Sequence, residues 1–121
     1  MNKTILLFGF EDLGTILAIQ RAVAPRGIDV KSVGRGDYHQ TIGALAGLDA
    51  PGAVPSAPAV MGKMAVLCVP MGEVQELLLL LNAAGTAGVL KAVLTANNRS
   101  WSAAALYREL QREHREMTKG R

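Results

Sequence analysis

The sequence predicts an α+β domain of the ferredoxin-like kind, βαββαβ with an added C-terminal helix. Three observations carry that expectation. Four short apolar runs, near residues 4–10, 28–34, 64–70 and 89–95, have the length and bounding turn residues of strands. Two stretches of helical periodicity fall between the first and second runs and between the third and fourth, and a third stretch closes the chain. The resulting order, β-α-β-loop-β-α-β-α, is that of a split βαβ unit with one helix appended. At 121 residues the whole chain, 1–121, is expected to form a single domain with a core of its own.

The first run, residues 4–10, ends in Gly9, Phe10, Glu11 and Asp12, so a strand is expected to give way to a turn with Asp12 as the helix N-cap. Leu13, Ile16, Leu17, Gln20 and Val23 then follow the spacing of an amphipathic helix, which Pro25 and Gly27 stop. A second strand covers residues 28–34 with partial alternation. Residues 34–62 contain six glycines and three prolines, a density that argues against continuous helix or strand. One short helical turn fits residues 41–48, and 49–62 reads as a long loop; connections of that length inside a domain are usually functional or mobile.

The third strand is expected over 64–70. A second helix follows over 73–84, with Val74, Leu77, Leu78 and Leu81 as its core stripe and Gly85 just past its end. A fourth strand spans 89–95, a turn 97–100, and the last helix starts near Ser100 or Ser102 with Leu106, Leu110 and Met117 at helical spacing. The basic tail, 117–121, is expected to fray. The first and third strands carry apolar residues at odd and even positions alike, which indicates burial on both faces. The second sheet face must therefore be covered by the C-terminal helix, by the 34–62 segment, or by another copy of the chain. Five consecutive leucines, residues 77–81, make the second helix apolar nearly all round and point toward self-association.

Composition excludes several functions. The net charge of +3 is concentrated after Tyr107, where Arg108, Arg112, Arg115, Lys119 and Arg121 outnumber Glu109, Glu113 and Glu116. Cations at a solvated helix end suit the helix dipole and need no nucleic acid to explain them. RNA binding on an open sheet face would call for stacking aromatics, and only Phe8 and Phe10 are on offer. The apolar run at the N-terminus is about six residues, short of the roughly 7–15 of a secretion signal, and no stretch reaches membrane-spanning length. The expected location is the cytoplasm. Cys68 is the lone cysteine and sits in an apolar run, where a structural role is expected. One cysteine and two distant histidines, His39 and His114, give no metal set, and no cofactor is expected.

Two segments remain as candidate sites. Thr95, Asn97, Asn98, Arg99, Ser100 and Trp101 lie at a strand-to-helix junction, where unpaired N–H groups favour an anion such as a phosphate or carboxylate. The structural alternative is an Asx turn at Asn97, a cap at Ser100 or Ser102, and Trp101 stapling the junction to the core. The second segment, residues 34–40, surrounds Arg35 with Gly34 and Gly36 and contains Asp37, Tyr38 and His39, but it matches no phosphate-loop motif.

Lys91-Ala92-Val93-Leu94-Thr95, then Asn97, then Trp101 opening a helix with Leu106, Glu109, Leu110 and Glu113, resembles the C-terminal signature of an uncharacterised prokaryotic family, a domain of unknown function of about this length. That resemblance implies the fold and no catalytic residue. In architecture alone, a ferredoxin-like domain with a long connection between its second and third strands also resembles the PII-type signalling proteins, which bind nucleotides beneath that loop. The expected function is a non-enzymatic module for ligand sensing or protein interaction, with a small anion or nucleotide as partner. The alternatives are a structural homodimer joined through its sheet face, an enzyme using Asn97, Arg99 and Trp101 with His39, and an RNA binder.

Overall fold

Among the described residues, four strands and four α-helices form where the apolar runs and helical stripes fall. The computed structural model describes residues 3–52 and 61–119; the expected loop over 49–62 and the end of the basic tail lie partly outside them. Strand β1 is Thr4–Phe8 and helix α1 is Leu13–Val23. Asp12 caps α1 as expected, its Oδ1 accepting from the Gly14 N–H at 2.9 Å. A 3-10 turn, Ala24–Arg26, and Gly27 at φ 69° then end the helix. Strand β2 is Asp29–Val33, and a short helix α2 covers Ile42–Leu45. Strand β3 is Met64–Cys68, helix α3 is Val74–Leu81, strand β4 is Leu90–Val93 and helix α4 is Ala103–Lys119. Helix α4 therefore continues two residues past the Met117 at which fraying was expected.

The strand order is β2-β1-β3-β4. β1 pairs with β2 in parallel and β3 with β4 in parallel, while β1 and β3 are antiparallel, Leu6 opposite Val66. The ferredoxin-like arrangement is thereby corrected. A split βαβ unit leaves room for another strand between the two it connects. Here α1 joins two adjacent strands, and α3 does the same. The result is a pair of βαβ units set back to back about the β1–β3 seam, and the architectural likeness to PII-type proteins lapses with the topology.

Burial on both faces of the sheet holds. Ile5, Leu7, Ala65, Leu67 and Val69 face α1 and α3, packing with Ile19, Val23, Leu77 and Leu81. Leu6, Phe8, Met64, Val66 and Cys68 face the other way, against Tyr38, Ile42, Leu45, Ala103 and Leu106. Every residue of β3 is buried. Each large aliphatic side chain so enclosed contributes about 1.5–3 kcal/mol. The second face is covered by α4 and the 38–45 segment jointly, while β2 at the edge keeps exposed side chains.

Backbone hydrogen bonds bind those two covering pieces to each other. The Ile42 N–H donates to Trp101 O and the Gly43 N–H to Arg99 O, both at 2.9 Å. In return the Ala103 and Ala104 N–H groups donate to Gln40 O and Tyr38 O, both at 3.0 Å. Gly43 makes this approach possible: a Cβ there would collide with Asp49 Oδ2 and lie 2.7 Å from Arg99 Cγ. Gly43→Ala is expected to destabilise the fold by about 1–3 kcal/mol through overpacking, measured as a lowered urea midpoint with an unchanged slope.

Candidate functional site

The predicted junction and the predicted Gly-rich segment are brought together by this seam. Asn98 is the buried centre of the junction, 8% exposed. Its Oδ1 accepts from the Thr95 N–H at 2.9 Å, its Nδ2 donates to Val93 O at 3.0 Å, and its own N–H donates to Thr95 Oγ1 at 3.1 Å. Leu94, one residue on from Val93, donates to Leu67 O in β3. Successive backbone groups point to opposite sides of a strand, so Asn98 seals the outer edge of β4. Lys91 closes the other end, its Nζ donating to Val89 O at 3.0 Å and to Thr86 O. Partial burial lowers the pKa of that amine.

The first turn of α4 is likewise satisfied within the chain. Ala103 and Ala104 donate to the 38–40 carbonyls, Ala105 donates to Ser102 Oγ at 3.1 Å, and Leu106 donates to Ser102 O. Ser102 is thus the cap, and the N–H groups that an anion would need are occupied. Arg99 is committed too. Its Nε and Nη2 meet Asp49 at 2.9 and 2.7 Å, and Nη2 also reaches Leu48 O. The bidentate bond to Arg99 holds the Asp49 carboxyl below its usual pKa. Trp101 packs against the second-face core, as the stapling role requires. Asn97 and Ser100 are exposed. Beside them a groove of about 440 Å³ runs between β4 and α4, with Glu109 and Glu113 among its lining residues. Carboxylates there oppose an anion. Of the junction residues, Thr95, Asn98, Arg99 and Trp101 are thus held by partners within the chain, while Asn97 and Ser100 stand exposed.

A different arrangement stands at the carboxyl ends of β1 and β2, the position where open α/β sheets commonly hold ligands. A crevice of about 240 Å³ lies between the loops that leave the two strands. Gly9 leaves β1 at φ 73°, and a Cβ on it would lie 2.7 Å from Gly62 O, so the backbone here runs bare. Tyr38 enters from the segment after β2. Its ring packs on Phe8, with centroids 5.9 Å apart, and its hydroxyl accepts the Gly9 N–H at 3.0 Å. Across the mouth, Arg35 Nη2 meets Glu11 Oε1 at 3.2 Å, both side chains well exposed. Phe10, Val33 and Met61 supply apolar wall, and Lys63 Nζ lies 5.7 Å from the Phe10 ring centroid.

Arg35 was legible as part of a candidate segment, whereas Gly9 and Tyr38 were missed as partners. The available signal was a phenol placed shortly after a strand end and preceded by two glycines. Elsewhere, burial pushes the Cys68 thiol up to about 11, so it stays protonated near neutrality and fits the structural role expected of it. No group of three or more His, Cys, Asp and Glu side chains suited to a metal occurs among the described residues. The basic end of α4 is partly neutralised on its own surface, where Arg112 pairs with Glu109 and Glu116. No helix among the described residues is long and apolar enough to cross a membrane.

The model of a family described as a domain of unknown function (DUF3783) matches residues 69–117. The match takes in α3, β4, the junction and most of α4, and therefore includes the segment whose residues carried the resemblance. The crevice residues precede it. No curated protein and no solved structure matches the chain.

Asn98→Ala would leave the Thr95 N–H and the Val93 carbonyl without partners. An expected loss of about 2–3 kcal/mol in unfolding free energy follows, and denaturant titration against the parent protein measures it.

Proposed function

We propose that the chain is a non-enzymatic module that binds a small ligand in the crevice at the carboxyl ends of β1 and β2. One observation carries the reading. Tyr38 is 4% exposed and its hydroxyl accepts the Gly9 N–H, yet among the described residues nothing accepts the hydroxyl's own proton. A phenol both accepts and donates, and this one lines the crevice with its oxygen held by Gly9 and its own proton available there. A ligand oxygen in the crevice can accept that proton. Among the described residues the lining brings one guanidinium, one carboxylate and one phenol, a set suited to holding a molecule. The buried thiol of Cys68 suits a reducing, cytoplasmic setting.

An amide-resolved NMR screen of the chain against a fragment library tests the reading. Binders are expected to move the amides of Gly9, Gly34, Arg35 and Tyr38 before any others. Hits that cluster elsewhere, or none at all, would defeat it.

A second reading, self-association, shifts from the covered sheet faces to the outer surface of the α1/α3 layer. Leu13, Met71 and Leu79 are each about 70% exposed there, and Leu17 is half exposed. Exposed apolar side chains on one layer, with Leu13 and Met71 toward its opposite ends, favour contact with a second copy. Light scattering is expected to give a dimer mass that Leu79→Glu returns to monomer; a monomer at high micromolar concentration removes this reading.

A further inference from the structure

We infer that the ligand of the β1/β2 crevice is a small organic carboxylate. This rests on the binding reading above and adds the chemistry of what is bound. Arg35 is the first reason. Arg26 and Arg99 each engage a carboxylate through two nitrogens, but Arg35 touches Glu11 through a single 3.2 Å bond between two exposed side chains. A guanidinium offers five donors in a planar fork that matches a carboxylate edge. The rest of that fork has no partner among the described residues, and the pairing it does have is the weak, solvated kind.

Tyr38 supplies a second donor, directed by elimination. Its oxygen already accepts from Gly9, so the hydroxyl proton must turn to another acceptor, and the crevice it lines is the space beside it. A guanidinium fork and a phenol together define an acceptor-only group, which a carboxylate is and an amide or alcohol is not.

Two carboxylates stand against two cations at this end, Arg35 and the Lys63 that acts on Asp12 and lies over Phe10, a balance that favours a group of low negative charge. Asp12 caps α1 at this end of the sheet, its carboxyl held low by the Thr15 hydroxyl and the Gly14 N–H, and Glu11 stands beside it. A phosphate dianion would meet repulsion from both, a monocarboxylate much less. The lining is mostly polar, and Phe10, Val33 and Met61 leave room for only a modest apolar body on the ligand. The volume, about 240 Å³, falls below the usual range of roughly 300–1,000 Å³ for ligand pockets and keeps that body small. On binding, the ligand takes the Arg35 fork and Glu11 turns to the solvent that already surrounds it.

Benzoate serves as the probe, titrated into the full chain at constant ionic strength and followed by amide NMR, with neutral benzamide and inorganic phosphate as comparisons. Benzoate is expected to shift Gly9, Gly34 and Arg35 saturably and to bind at least about tenfold more tightly than either comparison. Arg35→Ala is expected to weaken benzoate roughly tenfold. Glu11→Gln, an exposed change that releases Arg35, is expected to tighten it by about threefold. Benzamide or phosphate binding as well as benzoate, or unchanged benzoate affinity in Arg35→Ala, overturns the carboxylate assignment while leaving the crevice a binding site. If none of the three probes moves those amides, the assignment and the binding reading fail together.

Discussion

The backbone seam between residues 38–43 and 99–104 is the constraint on which the rest of the structure depends. A four-stranded sheet apolar on both sides needs two covering layers, and the two βαβ crossovers put α1 and α3 on the same side. The second cover has to be assembled from pieces far apart in the chain. Helix α4 alone brings Ala103 and Leu106 against the sheet, and the 38–45 segment brings Tyr38, Ile42 and Leu45. Four backbone hydrogen bonds lock the pieces into one layer. Loop closure over so long a separation costs entropy, and burial of Leu6, Phe8, Met64 and Val66 beneath the layer offsets it.

The same seam explains why one strand-to-helix junction is closed and the other crevice is open. With β1 and β3 antiparallel, the carboxyl ends of the two βαβ units lie at opposite ends of the sheet. After β4, the carbonyls of Tyr38 and Gln40 and the Ser102 side chain take the donors at the head of α4, and Asn98 takes the strand edge. After β1, Asp12 caps α1 and no segment seals the gap toward β2 among the described residues. The polar groups left over at that end, Arg35 and the Tyr38 hydroxyl, are the ones that the seam does not use.

Local signals made most elements legible. Asp12, Pro25, Gly27 and Gly85 act through their own backbone geometry, so their roles as cap and breakers can be read without knowing the fold. The two-sided burial of β1 and β3 followed from the lack of alternation. Strand order did not follow, because a β-α-β-β-α-β sequence suits adjacent and split units alike and the choice rests on long-range pairing. Residues 38–45 were half legible. The helical turn expected over 41–48 forms as α2, but the Gly- and Pro-rich surroundings hid that Tyr38, Ile42 and Leu45 pack as core. In the candidate site, the residue types at 95–101 were suggestive of anion binding, but Arg99 meets Asp49 some fifty residues away, and the donors just beyond, Ala103 and Ala104, reach Gln40 and Tyr38. Whether a donor is free depends on such partners, and spacing along the chain carries no information about them.

Tyr38 shows how the closed layer and the open crevice are connected. Its carbonyl accepts from the first turn of α4, its ring packs on Phe8 in the core, and its hydroxyl accepts from Gly9 at the crevice. These attachments differ in what a ligand can disturb. The carbonyl bond and the ring contact are fixed by backbone and packing, and neither presents a group to solvent. The hydroxyl proton alone is unsettled, because the oxygen is already an acceptor and the ring is held in place. A ligand at the crevice therefore completes a hydrogen bond on a side chain whose position is set in advance. Little further ordering is required on binding, which is the condition under which a crevice this small can retain affinity.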